Sequence, residues 1–338
     1  MIIIFNNRFI CYAFLINLVY VFIMKRSLYL MSALALTIGT TTLTTAAPFQ
    51  LKSEKQNVEL KSTPKNIAVY DLSILDTLNA LNIEAAIVPT SSYAGSLSKY
   101  QQDKFVKAGS LFEPDLEQLK NLKPDLIFVG GRSAKTAETL TSIAPTLDLS
   151  ANTDNYIPDL EARTNLLAKA FKREKIAKQK INEIKKAQAE LKTKTQGKTA
   201  IMLFAVGENF MSHAENDRFG FVYDLAGFKS VLPLSEKTDA PRPEAGSPEA
   251  IALAQKNAEI LQKAIDANPD YIIVLDRGAV NTQKYTALDN IQKHPILKNA
   301  QAVKTGKVIQ VNADAWYLTG AGLDNTAFML KELSNAIK

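Results

Sequence analysis

Cysteine is almost missing: the 338 residues contain one, Cys11. Without a second thiol there is neither a disulfide framework nor a cysteine metal site. Histidine is nearly as scarce. His213 and His294 are the two in the chain, too far apart to form a recognisable metal motif, and both read as surface or capping residues. No sign of charge dominates. Lys and Arg number 40 against 34 Asp and Glu, and no basic-aromatic cluster accompanies the excess, which argues against nucleic acid as a partner. The phosphate and catalytic signatures are missing too. There is no G-x-G-x-x-G after a first strand, no P-loop, no H-E-x-x-H and no G-x-S-x-G. A dinucleotide-dependent or hydrolytic enzyme therefore has no motif to stand on. A mean hydropathy near zero argues against a multi-span membrane protein.

Long hydrophobic runs are confined to the N-terminus. Residues 2–23 are apolar and low in charge. Met24-Lys25-Arg26 then opens a second apolar run that ends in Thr44-Thr45-Ala46-Ala47-Pro48. A charged start, an apolar middle and a small-residue end are the marks of a secretory signal. The expectation is a natural start at Met24, cleavage after Ala46, and residues 1–23 as an upstream extension from a misassigned start codon. The alternative is a membrane anchor, since 22 mostly apolar residues are long enough to span a bilayer. No cysteine follows the signal to carry a lipid. Removing Arg8, Lys25 and Arg26 leaves 37 basic residues against 34 acidic, a net +3.

What the chain does have is a phrase used twice. LKPDLIFVGGR (122–132) and ANPDYIIVLDR (267–277) align at an offset of 145 residues, pairing Pro124 with Pro269, Asp125 with Asp270 and Arg132 with Arg277. Each copy reads as a helix end, a Pro-Asp turn, a buried strand, and an arginine at the strand's carboxyl end. A repeat of this size predicts two similar α/β lobes. Ligands of open α/β sheets sit beyond the carboxyl ends of the strands, so the two arginines would face each other across a cleft.

The remaining segments fit this plan. Strands at 66–70, 85–89 and 125–131 alternate with helices at 71–81, 114–122 and 134–143, predicting a parallel sheet. Residues 48–61 read as an edge strand or arm. Residues 159–193 contain no Pro or Gly, and Ile176, Ile181, Ile184, Ala187 and Leu191 trace a stripe at helical spacing. The expectation is one helix of about 50 Å that connects the lobes and ends at Gly197. The second lobe then has strands at 198–207, 270–276 and 307–313, and helices at 221–226, 250–267 and 322–337. The fold class is thus α/β: two Rossmann-like lobes with mostly parallel sheets, joined by a single long helix, with the ligand cleft between them. The boundaries are 62–157 for the N-terminal lobe, 158–196 for the connector and 197–338 for the C-terminal lobe.

Five phrases in order, DLSILDTLNALNI (71–83), 107–132, DRFGFVYDLAGFK (217–229), NPDYIIVLDRG (268–278) and AWYLTGAGL (315–323), resemble the periplasmic binding proteins of iron–siderophore ABC importers. The resemblance is to the helical-backbone, or cluster A, family and its catecholate branch. It implies a non-enzymatic periplasmic receptor, a monomer, that captures a ferric siderophore and hands it to an inner-membrane ABC permease. It implies no intrinsic cofactor, the ferric iron arriving as part of the siderophore complex. A haem- or corrinoid-binding protein of the same fold is the alternative. The family's cleft arginines and tyrosine map to Arg132, Arg218, Arg277 and Tyr317, with Tyr317 as a possible direct Fe(III) ligand.

Planar, permanently charged guanidiniums suit a bulky polyanion. Tyr93 and Tyr100, in the Ser- and Tyr-rich loop 90–104, either line the cleft or pack the core, and Tyr93 is taken as a ligand contact. The histidine that completes the iron shell in tetradentate-binding relatives has no counterpart; Gln255, Glu244 and Glu249 lie nearest its place. In the family one acidic residue per lobe docks to the permease. Glu117 fits in the first lobe; in the second the matching position is Gln262, and Glu259, one turn earlier, is the candidate.

Overall fold

The computed structural model describes residues 48–52, 56–236 and 243–337. The expected extension at 1–23 and signal at 24–46 lie outside the described residues. The N-terminal segment forms an antiparallel hairpin, β1 (Phe49–Lys52) with β2 (Asn57–Leu60). It stands apart from the main sheets, and Phe49 meets Phe171 edge-on at 4.9 Å between ring centroids.

The first lobe alternates β3 (Ile67–Val69), α1 (Leu72–Ala80), β4 (Ile87–Thr90), β5 (Val106–Ser110), α2 (Leu116–Leu122), β6 (Leu126–Val129), α3 (Ala137–Thr141) and β7 (Thr146–Asp148). All strands of its sheet are parallel, in the order β5-β4-β3-β6-β7. The connector follows as α4 (Tyr156–Phe171) and α5 (Glu174–Thr195). The second lobe contains β8 (Thr199–Val206), β9 (Asn209–His213), α6 (Phe221–Ala226), β10 (Lys229–Ser230), α7 (Pro248–Asp266), β11 (Tyr271–Asp276), α8 (Ala287–Lys293), α9 (Gln301–Lys304), β12 (Val308–Gln310) and α10 (Leu323–Ala336). Its sheet runs β10-β8-β11-β12 in parallel, and β9 folds back antiparallel on β8. The two lobes with mostly parallel sheets are as expected from the sequence; β9 and α8 were not foreseen.

The central strands are buried on both faces. Along β6, Leu126 and Phe128 point to one core and Ile127 and Val129 to another; along β11, Tyr271, Ile273 and Leu275 alternate with Ile272 and Val274 in the same way. That is the period-two pattern of a sheet covered by helices on both sides. The outer face of each sheet has its own apolar cluster, whereas the inner faces share one that runs through both lobes and the connector.

The repeated Pro-Asp turn has a structural reason. Lys123 and Asn268, again 145 apart, both adopt a left-handed conformation that ends the preceding helix, with φ of 49° and 53°. The Asp125 carboxylate then accepts hydrogen bonds from the Lys65 and Asn66 backbone N–H groups at 2.8 and 2.9 Å. The Asp270 carboxylate accepts equivalent bonds from the Thr199 N–H and hydroxyl at 2.8 and 3.1 Å. Each Asp thus clamps the start of the central strand beside it.

The connector departs from the single helix expected. Lys172 is left-handed, with φ of 57°, and Arg173 N–H donates to the Ala168 carbonyl at 2.7 Å, closing one helix before the next begins. A lysine in the position where glycine is usual gives no sequence signal for the break. On α5, Ala177, Ile181, Ile184 and Leu191 are buried, and Ile176 and Ala187 pack at the margin. Each fully buried aliphatic side chain contributes about 1.5–3 kcal/mol.

The lobes are also tied by α10, which packs on both α5 and α1. Asp76 of α1, fully enclosed, accepts a hydrogen bond from the Asn325 N–H at 2.9 Å, and the Thr77 hydroxyl accepts one from Leu323 N–H at 3.2 Å. A carboxylate at a helix N-terminus is favourable, but burial pushes its pKa up to about 6, a rise that the Ser96 and Asn325 hydrogen bonds only moderate and Asp324 adds to. A raised carboxyl pKa stabilises the fold while protonated, so this stabilisation is complete below the unfolded value of 3.8 and is lost as pH rises through about 6. We expect denaturant unfolding of Asp76→Asn to lack this loss: relative to wild type, the variant gains about 2 kcal/mol between pH 4 and 7.5, at about 1.36 kcal/mol per unit. A variant with the wild-type pH profile would remove Asp76 as its source.

Candidate functional site

Both sheets reverse their strand order beside the first strand of each lobe, between β3 and β6 and between β8 and β11. Such switch points open a crevice at the strands' carboxyl ends. Arg132 leaves β6 at one of them and Arg277 leaves β11 at the other. Tyr317 lies between them on Ala315–Thr319, a single π-helical turn closed by Gly320 N–H donating to the Ala315 carbonyl at 2.8 Å. Turns of this kind are rare and concentrate at functional sites.

The three arginines expected from the sequence converge on that phenol. Their guanidinium carbons lie 5.2 Å (Arg132), 4.8 Å (Arg218) and 4.6 Å (Arg277) from the Tyr317 ring centroid. On another side Phe204 stacks on the ring at 5.9 Å and Phe219 tilts against it at 6.4 Å. Among the described residues, none of these arginines forms an ion pair with a carboxylate. Two acids near Arg218 in sequence are committed elsewhere. Asp217 accepts from Ala214 N–H and the Ser235 hydroxyl, and Asp224 pairs with Lys192 at 2.8 Å. Arg132 instead crosses between lobes, donating to the Tyr317 carbonyl at 2.6 Å and the Leu318 carbonyl at 3.4 Å.

Electrostatics follow from that crowding. Burial lowers the Arg132 pKa, and repulsion by Arg218 adds to it. For Tyr317, burial works to raise the pKa, but hydrogen bonds and charge from Arg277 and Arg218 outweigh it, and the phenol falls below the ordinary value. A phenol biased toward its anion is a hard oxygen donor.

The cleft cavity is about 200 Å³. The first lobe contributes Thr90, Ser91, Ser110, Leu111, Phe112 and Arg132; the second contributes Arg277, Val280, Asn281, Tyr317 and Leu318. The Arg277 loop is held by two buried acids: Asp276 accepts from Gly278, Thr286 and Ala287 N–H groups, and Asp314 accepts from Asn281 N–H and the Gln283 amide. Sequence reasoning missed Phe204, Phe219, Phe112 and this pair of acids. Their roles depend on which loops meet, and nothing local marks them.

Other sequence-based candidates lie elsewhere. Tyr93 is not a cleft residue: it is 1% exposed, and its hydroxyl donates to the Pro89 carbonyl. The loop around it coils into a short 3₁₀ segment, Gly95–Gln101, that draws Tyr93 and Tyr100 into the first-lobe core. His294 is a cap, accepting weakly from Ile296 and Leu297 N–H groups. His213 is half-buried rather than a plain surface residue. It packs edge-on against Phe204 and Phe219 behind Tyr317, and burial lowers its pKa. Gln255, Glu244 and Glu249 do not line the cleft cavity. A larger depression of about 710 Å³ between α7 and β9 is lined, among the described residues, by no lysine, arginine, aspartate or glutamate. Glu117 on α2 and Glu259 on α7 are both exposed. Among the described residues no helix is long and apolar enough to cross a membrane.

This geometry meets a match to the family model described as periplasmic binding protein, over residues 67–315. The chain belongs to the periplasmic binding protein family. It is 27% identical over 289 residues to the petrobactin-binding protein YclQ of Bacillus subtilis, covering 84% of this chain and 86% of that one. It is 26% identical to the ferric-anguibactin-binding protein FatB of Vibrio anguillarum, over 85% of this chain and 86% of that one. Among solved structures, the catecholate-siderophore binding protein VctP of Vibrio cholerae superposes with a TM-score of 0.71 at 26% identity, over 86% of this chain and 100% of that one.

We expect Tyr317 to ionise before the tyrosines whose pKa burial raises when tyrosinate absorbance is followed with rising pH. Burial pushes Tyr70, Tyr93, Tyr100, Tyr156, Tyr223 and Tyr285 the other way. Tyr317→Phe should abolish the early step and Arg277→Gln should move it to higher pH. Persistence of the step in Tyr317→Phe would contradict the geometry.

Proposed function

We propose that this protein is a periplasmic receptor that captures a ferric siderophore of the catecholate type and delivers it to an inner-membrane ABC permease. The observation that carries the reading is the convergence of three guanidiniums, unpaired by any carboxylate among the described residues, on one phenol with a lowered pKa. Like charges gathered this closely repel, and a multiply charged anion relieves that repulsion. Ferric catecholates are bulky polyanions, and guanidinium forks bond their oxygens with charge assistance. The named ligands of the relatives YclQ, FatB and VctP support the same class.

In this reading Arg132, Arg218 and Arg277 hold the complex, and Tyr317 contacts it and offers an oxygen to Fe(III). Iron is cargo, and the protein carries no cofactor of its own. A cavity of about 200 Å³ is smaller than the ~300–1,000 Å³ usual for ligand pockets. Entry therefore requires the lobes to part, with Arg132 exchanging the Tyr317 and Leu318 carbonyls for ligand oxygens. The shared inner core and α10 keep that motion small. The receptor acts as a monomer, and Glu117 and Glu259 dock one lobe each to the permease, which pries the cleft open for release.

Trp316, the only tryptophan, adjoins Tyr317 and reports the test. Titration with ferric catecholate should quench its fluorescence saturably. Arg132→Ala with Arg277→Ala should weaken binding at least a hundredfold, because each charge-assisted bond contributes ~1.5–3 kcal/mol and about 1.4 kcal/mol is tenfold. Absence of any response to ferric siderophores, with a haem-band shift instead, would overturn the proposal in favour of haem.

A further inference from the structure

One wall of the cleft is unusual for an anion site. Phe112, from the first lobe, lines the cavity beside Arg132 and Arg277 and is 53% exposed. A single exposed apolar side chain needs no explanation on an ordinary surface. Here, however, the backbone is built to keep it there. Gly109, with φ of 83°, admits no side chain, since a Cβ would lie 2.4 Å from both Asp115 N and the Glu113 carbonyl oxygen. The Ser110 hydroxyl accepts from the Phe112 and Glu113 N–H groups at 3.2 and 3.0 Å, and Ser110 N–H donates to the Glu113 carbonyl at 2.8 Å. Asp115 caps α2 through the Gln118 N–H. Leu111, its neighbour, is buried and anchors the turn in the core. The turn therefore has little freedom to fold Phe112 away.

The lining divides by chemistry. Arg132, Arg277, Asn281 and the hydroxyl-bearing Thr90, Ser91, Ser110 and Tyr317 supply polar groups; Phe112, Leu111, Val280 and Leu318 supply apolar surface. A small, fully hydrated carboxylate chelate uses only the donors. A ligand with flat aryl rings around its anionic core uses both, because aromatic faces stack favourably at offset or edge-on geometry.

Resting on the siderophore reading above, we infer that Phe112 is a specificity-determining residue: a pre-positioned stacking platform that selects aryl-bearing iron chelates over purely carboxylate ones. The preorganisation is that of the backbone: a turn already held in place presents the ring without itself losing freedom on binding.

The test compares ferric dihydroxybenzoate, an aryl chelate, with ferric citrate, which has no ring, on the intact protein by Trp316 quenching. Phe112→Ala should weaken the aryl chelate roughly tenfold and leave ferric citrate within about twofold. Phe112→Tyr should restore affinity, and Phe112→Leu, which keeps apolar bulk without a ring, should not. Thermal midpoints of all variants should match wild type, because the side chain is half exposed. Equal losses on both chelates, no loss on either, or full rescue by leucine would overturn the inference while leaving the receptor reading intact. Should wild type bind only the aryl chelate, the tyrosine and leucine variants decide. A wild type that binds neither chelate overturns the receptor reading and this inference with it.

Discussion

Three guanidinium groups share one phenol ring, and the rest of the structure is arranged to make that possible. Brought within about 5 Å of the same ring, they repel one another and would disperse if their backbones were free. Arg132 and Arg277 are anchored where buried strands end, and Arg218 at a tight turn in which Gly220 lies against the Ala214 and Glu215 carbonyls. The π-helical turn carrying Tyr317 is tied at both ends. Arg132 holds the Tyr317 and Leu318 carbonyls from the first lobe, and the Asn325 amide donates to the Ala315 and Gly320 carbonyls. Asn325 in turn gives its backbone N–H to Asp76 of the first lobe. Positive charge concentrated on rigid supports is what an anion receptor needs, since the ligand then meets donors already in place.

The same supports set the mechanics. A bare two-lobe hinge would move freely, but here the inner faces of both sheets share one apolar core with the connector. The last helix packs against both α1 and α5. In the proposed receptor cycle, parting of the lobes would shear a packed interface, and packed interfaces favour small, discrete shifts over continuous ones.

Much of this was legible in the residues. The doubled Pro-Asp phrase predicted two related lobes, and its arginines were placed at strand ends, where they stand. The repeat also separated two jobs within one motif: its aspartates clamp neighbouring strand starts, and its arginines face the cleft. Tyr93 misled because a tyrosine in a polar loop gives no sign that the loop will coil inward. Lys172 concealed the break in the connector because its left-handed turn is closed by backbone hydrogen bonds to the Ala168 and Lys169 carbonyls, with no glycine to mark it.

Sequence alone determined the lobe count, the strand periodicity and the identity of the charged side chains, because these follow from local pattern and repetition. Only the tertiary structure decided that the three arginines meet on Tyr317, that Phe204, Phe219 and Phe112 surround or face the same space, and that Asp76 ties the last helix to the first lobe. Those residues are separated by up to 249 positions, and their contacts arise from how two sheets pack, which no short window of sequence encodes.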